Sequence, residues 1–398
     1  MAREDFTQEY FRFNEQDAID YSVEILNYFD SKDGLECLEI GDGNLNYIFK
    51  VYDELGKSVI IKQAGPIARI SDDIKLSPDR NRIESEILKI QYELTGGGVP
   101  KVYNYDSKMN CTAMEDLSDH IILRTGLLNY QIFPNLADQL AVFMVETLLP
   151  TSDVVMEHKE KKDMVKNFIN AELCEISEDL VFTEPYYDAE RNDMLPETQK
   201  IVSELIWQDR ELKLAVAKLK FDFMTNAEAL IHGDLHSGSI FAKKDSAKVI
   251  DPEFAFYGPA GYDVGNVLAH FIFSILNAKY SKKASSEFIE WIHDVLGDTL
   301  DKFSAYYNQE WDRLVIDEMA KIEGFKESYL SDLLADTASF AGTEIIRRII
   351  GLAHVEDIVS LPKEQRLLAE KEALLIGKKL ILESKTFKTG QDYLNLFK

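Results

Sequence analysis

Residues 231–240 read Ile231-His232-Gly233-Asp234-Leu235-His236-Ser237-Gly238-Ser239-Ile240, and Asp251-Pro252-Glu253 follows 17 positions after Asp234. Between them lie two short apolar pieces, Ser239 to Ala242 and Lys248 to Ile250, separated by Lys244-Asp245-Ser246. Pieces of that length around a polar turn predict a hairpin, which returns Asp251 to the side of Asp234. Carboxylates gathered this way suit a site where one accepts a proton from an alcohol while the others hold a divalent cation. Phosphoryl transfer has these needs. A lone His-Gly-Asp is as readily a loop-capping carboxylate, but two further acids at this spacing favour the catalytic reading.

Upstream, Leu38 to Ile40, Tyr47 to Tyr52 and Val59 to Lys62 read as strands, with Gly41-Asp42-Gly43-Asn44 as a tight turn after the first. From Asp79 to Leu94 the spacing turns helical, and Gly96-Gly97-Gly98 stops it. Val99 to Tyr105 and Cys111 to Met114 complete a five-stranded antiparallel lobe. After Leu117 amphipathic helices dominate: Leu136 to Leu149, Met164 to Leu173, Thr198 to Lys220 and Phe288 to Tyr306. This predicts an α+β chain, a β-rich lobe over 1–116 and a larger helical lobe over 117–398, with a cleft between them as the place for a ligand.

The 398 residues carry 44 basic and 70 acidic side chains, a formal net charge of −26, and both lobes share the acidic excess. A surface of that sign argues against nucleic acid or an anionic membrane as partner. Cys37, Cys111 and Cys174 are far apart and form no CxxC, so neither a disulfide framework nor a thiolate zinc site is expected. Met1 to Phe13 lacks an apolar signal core, and no window approaches the roughly 20 apolar residues of a membrane span. The expectation is a cytoplasmic protein.

The His232-Gly233-Asp234 loop resembles that of the protein-kinase-like phosphotransferases acting on small molecules, the group of aminoglycoside and choline kinases. In that group Asn stands five positions beyond the Asp; here Ser239 does, a departure at the usual second metal ligand. The run from His232 to Ser239, with Asp251-Pro252-Glu253-Phe254-Ala255-Phe256-Tyr257-Gly258-Pro259, is similar to one branch, the S-methyl-5-thioribose kinases of methionine salvage. The resemblance implies a two-lobed protein-kinase-like fold and γ-phosphoryl transfer from ATP to the sugar's 1-hydroxyl, with Asp234 catalytic. Asp251 and Glu253 would hold Mg2+, Glu253 compensating for Ser239. It also implies a homodimer.

Other parts follow from that frame. Backbone amides of Gly41, Gly43 and Asn44 could approach a triphosphate, although such a turn more often only closes a hairpin. Lys62 inside an apolar strand needs an anionic partner, and the resemblance makes it the phosphate-binding lysine. Of two acids on the helix, Glu84 lies beside the apolar stripe and is preferred over Glu86 as its orienting partner. Glu115, Asp116 and Leu117 end the lobe where the resemblance puts the adenine contact. The loop Arg69 to Asp79 lacks the Trp that the resemblance would place there, with Lys75 near that position. Asp263 reads as a helix N-cap or as a tie for the catalytic loop. His236 reads as a loop-fixing residue.

Arg347 and Arg348 sit mid-helix among isoleucines. Neighbouring residues point about 100° apart, so at least one guanidinium meets buried surface and needs acceptors. Glu344 or Asp357 could serve in an internal ion pair; the resemblance assigns the pair to sugar binding. Kinases of choline, homoserine or an aminoglycoside share the catalytic loop but call for acidic or aromatic acceptor sites. A nucleotide-binding pseudoenzyme would have lost the carboxylates retained here.

Overall fold

A computed structural model describes residues 6–41, 46–65 and 77–398. The chain forms two compact units, Met1–Asp119 with Lys248–Phe254, and His120–Ala247 with Ala255–Lys398. No helix among the described residues is long and apolar enough to cross a membrane.

The first unit opens with α1 (Glu15–Glu24), whose start is fixed by a reciprocal capping box between Asn14 and Asp17. The sequence reading missed this helix, although Asn14 three residues before Asp17 is a start signal. Then come β1 (Glu36–Ile40), β2 (Asn46–Tyr52), β3 (Ser58–Ala64), α2 (Asp79–Thr95), β4 (Val102–Asp106) and β5 (Cys111–Met114). The strands form one antiparallel sheet in the order β1-β2-β3-β5-β4. Lys62 lies on the central strand, opposite Ile48 on one side and Thr112 on the other. Gly96, at φ 62°, ends α2 in the left-handed conformation that glycine adopts without steric cost.

The second unit is mostly helical. Its elements before the loop from His232 to Ser239 are β6 (Ile121–Ile122), α3 (Leu123–Leu128), α4 (Leu136–Leu148), α5 (His158–Asn167), α6 (Ala171–Leu180), α7 (Pro196–Val202), a π-helical segment Ser203–Trp207 and α8 (Arg210–Thr225). Two predicted helices are broken: Met164 to Leu173 at Phe168–Asn170, and Thr198 to Lys220 at Gln208–Asp209. At the second break Asp209 caps α8 by accepting the Leu212 N–H at 2.9 Å.

Next are β7 (Ala229–Ile231), β8 (Ile240–Lys243), β9 (Ser246–Val249), which carries the chain into the first unit, and β10 (Phe256–Gly258). β10 pairs antiparallel with β7, and β6 with β8. The unit closes with α9 (Gly261–Ser281), α10 (Ser286–Leu314), α11 (Phe325–Ile350), α12 (Glu356–Val359), α13 (Lys363–Leu382) and α14 (Gly390–Leu394). Helices α9 and α11 approach closely because Gly265 has no side chain: a Cβ there would stand 2.6 Å from the Thr337 carbonyl oxygen. These two helices carry Asp263, His270, Glu344, Arg347 and Arg348.

Candidate active site

In the first unit, β3 and α2 bring Lys62 and Glu84 together, Nζ to Oε1 at 2.8 Å with both side chains buried. Glu86 instead pairs with Arg82. The end of β9 and the segment after it join this cluster. Val249 N–H donates to the Gly98 carbonyl, Lys248 pairs with Glu115 at 2.7 Å, and Asp251 accepts from Lys62. Asp251 holds a left-handed backbone at φ 66°, a conformation that costs a non-glycine residue energy and persists where its surroundings fix it. Two residues on, Glu253 accepts from Asn46 at 3.0 Å and stands 3.5 Å from Arg80.

Lys62 is thus one ammonium among three carboxylates. Burial disfavours its charge, but Asp251, Glu84 and Glu253 outweigh burial and raise its pKa. Burial pushes Glu84 up to about 7 despite Lys62, and its Oε2 is buried without a hydrogen-bond partner among the described residues. The Asp251 and Glu253 oxygens are hard donors of the kind magnesium takes from protein, one or two at a time, with phosphate and water completing its shell. Among the described residues no group of three or more His, Cys, Asp or Glu side chains could hold a metal ion by itself. The donor set fits a cation that arrives with a nucleotide.

Glu115 and Asp116 are occupied structurally. The Glu115 carboxylate takes Lys248 and the Lys101 N–H, and that of Asp116 takes Ser58, Lys50 and Ser118. Leu117 is buried next to them. Gly41 closes β1, whereas Gly43, Asn44 and most of the loop Arg69 to Asp79, Lys75 included, lie outside the described residues.

In the second unit the loop from His232 to Ser239 hangs from α9. Asp263 accepts the N–H of His232 at 2.6 Å and of Gly233 at 3.0 Å. Asp263 lies inside the helix, whose N-cap is Ala260, so the N-cap expectation is corrected and the loop tie is what the chain builds. Ser239 Oγ accepts the His236 N–H and donates within the loop, toward the Asp234 and His236 carbonyls. His236 fixes the loop through Nδ1, which accepts the Gly238 N–H at 2.9 Å, and its Nε2 stands 3.3 Å from Asp234 Oδ2.

Arg347 Nη2 lies 3.3 Å from Asp234 Oδ1 and Arg348 Nη2 lies 3.8 Å from it. Burial raises the Asp234 pKa, but His236, Arg347 and Arg348 together win and hold it well below the carboxylate range. Asp234 is therefore a strongly anionic, weakly basic group. Both arginines also pair with Glu344, and Asp357 makes no contact with them among the bonds described.

Over residues 38–298 the chain matches the sequence profile of the phosphotransferase enzyme family. The chain belongs to that family. This phosphotransferase is 41% identical over 386 residues to the methylthioribose kinase of Geobacillus sp. (strain WCH70), covering 96% of this chain and 94% of the relative. To a methylthioribose kinase of Bacillus cereus it is 42% identical over 378 residues, 94% and 93% covered. Among solved structures it is similar to a choline kinase from Cryptosporidium parvum Iowa II, with a TM-score of 0.49, 14% identity, and 96% and 99% coverage.

One residue beneath the loop escaped the sequence reading because it sits in an apolar stretch of α9. His270 is buried, with Nδ1 2.9 Å from Ser237 Oγ and Nε2 3.2 Å from Glu344 Oε1. Burial, against the pull of Glu344, takes its pKa from 6.5 down to about 3. A depressed histidine keeps its stabilising contribution above its unfolded pKa and loses it as pH falls from about 6.5 toward 3. At about 1.4 kcal/mol per unit, the full loss is on the order of 5 kcal/mol. Urea midpoints of the wild type should fall steeply between pH 6.5 and 4, and those of His270→Gln less steeply; equal slopes would remove His270 from this role.

Proposed function

We propose that this phosphotransferase is a cytoplasmic enzyme of methionine salvage, transferring the γ-phosphoryl group of ATP to the 1-hydroxyl of S-methyl-5-thioribose to give S-methyl-5-thioribose 1-phosphate. Near full-length similarity, at 41% and 42% identity, to proteins named methylthioribose kinase carries the reading. The acceptor side agrees with it, since two guanidiniums beside Asp234, their side chains 11% and 8% exposed, suit a polyhydroxylated neutral sugar and oppose a cationic acceptor.

Asp234 would orient the sugar hydroxyl and take its proton late, as a loose transition state allows for a weak base. Arg347 and Arg348 would donate to ribose hydroxyls and counter the charge on the phosphoryl group in transit. Lys62, fixed by Glu84, would bind the phosphates, and the backbone of Gly41, Gly43 and Asn44 would approach them. Backbone groups of Glu115, Asp116 and Leu117 would take the adenine. Asp251 and Glu253 would hold Mg2+, which supplies positive charge to the phosphate oxygens when bound.

That charge balance predicts metal dependence. With Lys62 and Arg80 set against Glu84, Asp251 and Glu253, free ATP meets net negative charge. Calorimetric titration should give ATP binding at least about tenfold weaker in EDTA than with magnesium; equal affinities would contradict the assignment of Asp251 and Glu253. The substrate reading is tested by ATP consumption with methylthioribose, ribose, choline and homoserine side by side. Methylthioribose should be used far more efficiently than the others, and turnover no better than with ribose would sink the reading.

A further inference from the structure

Glu344 is fully buried on α11, and four groups converge on it or on its partners. Its Oε2 accepts from Arg347 Nε, and its Oε1 accepts from Arg348 Nε at 2.7 Å and faces His270 Nε2 at 3.2 Å. A carboxylate only accepts, so His270 carries its proton on Nε2, and the bare Nδ1 accepts from the Ser237 hydroxyl. Ser237 in turn belongs to the catalytic loop, and its carbonyl accepts the Arg124 N–H at 2.8 Å. The Ser–His–Glu order is bracing and not a second nucleophile, because Ser237 is only 2% exposed.

The geometry points to Glu344 as a positioning residue for the transfer: it holds both arginines by Nε, leaves the Nη2 groups of both for Asp234 and the sugar while Arg348 Nη1 donates to the Ala353 carbonyl, and braces the Asp234 loop through His270 and Ser237. The proposal deepens the kinase reading and rests on it for the identity of the sugar. Arginine presents its donors in a rigid fork, so fixing Nε sets the direction of the Nη groups. A carboxylate can serve Arg347 on one oxygen while serving Arg348 and His270 on the other. An amide cannot, because its NH2 end faces one of those donors with a donor of its own.

Glu344→Gln in the full chain should therefore release one arm of the fork. With ATP and methylthioribose varied separately, KM for the sugar should rise tenfold or more while KM for ATP stays within twofold. Sugar KM unchanged within twofold, or both constants rising together, would overturn the assignment. If Glu344→Gln does not fold, arginine-labelled wild-type protein decides by NMR, with Arg347→Lys and Arg348→Lys used to identify the signals. Both Nε–H signals should exchange slowly in the free protein and stay protected when methylthioribose is added; rapid exchange in either state counts against Glu344. Failure of the wild type to use methylthioribose would remove the substrate reading alone, and the Nε–H signals of the free protein would still decide for or against Glu344.

Discussion

Asp234→Ala should lower kcat by about a thousandfold while leaving ATP affinity and the melting temperature near wild type. The expectation rests on where Asp234 sits. Its carboxylate is the group on which His236, Arg347 and Arg348 converge, which makes it the acceptor proposed for the sugar hydroxyl. Because His236 and the two arginines hold its pKa far down, the proposed contribution is chiefly to orient the hydroxyl and to receive the proton late. Stability should survive, since both arginines keep their ion pairs with Glu344 once Asp234 is gone. Nucleotide affinity should survive because Lys62, Glu84, Asp251 and Glu253 form a cluster of their own in the first unit. Steady-state kinetics with calorimetry of ATP binding check both halves. Turnover within tenfold of wild type would remove Asp234 from its role.

Lys62→Met should cost both activity and stability. Lys62 is 6% exposed on the central strand of its sheet, and its ammonium is shared between Glu84 and Asp251. Its removal leaves the buried Glu84 carboxylate without its cation, a loss of about 3 to 5 kcal/mol for breaking such a pair. Turnover should fall by roughly a hundredfold or more, with KM for ATP raised and KM for the sugar little changed. Coupled measurement of melting temperature and the two KM values checks this. A variant as stable as wild type with an unchanged ATP KM would mean that Lys62 is merely a solvated strand residue.

Much of the site was legible because chemistry forced unusual residues into readable places. A lysine in an apolar strand, paired arginines among isoleucines and three acids around a hairpin each demand a partner. The choice of Glu84 over Glu86 came from helix geometry alone, and the two acids do point to different partners. The strands of the first unit were readable to within a few residues because turn signals bound them. The unread part depends on contacts between distant positions. Asp263 serves backbone groups 30 and 31 positions away, and nothing local distinguishes that from an N-cap. His270 looks like core until Glu344 and Ser237 arrive from other elements. Strand β10, at three residues, is too short to announce itself and exists by pairing with β7. The interruption before α8 did carry a signal, Asp209 as N-cap, which the continuous apolar spacing masked.

The most direct test of the account is the identity of the product. Purified protein incubated with ATP, magnesium and S-methyl-5-thioribose should yield, by phosphorus NMR, ADP and one new phosphomonoester coupled to the proton on C1 of the sugar. A phosphate on another hydroxyl, or ATP left unchanged beside intact sugar, would contradict it.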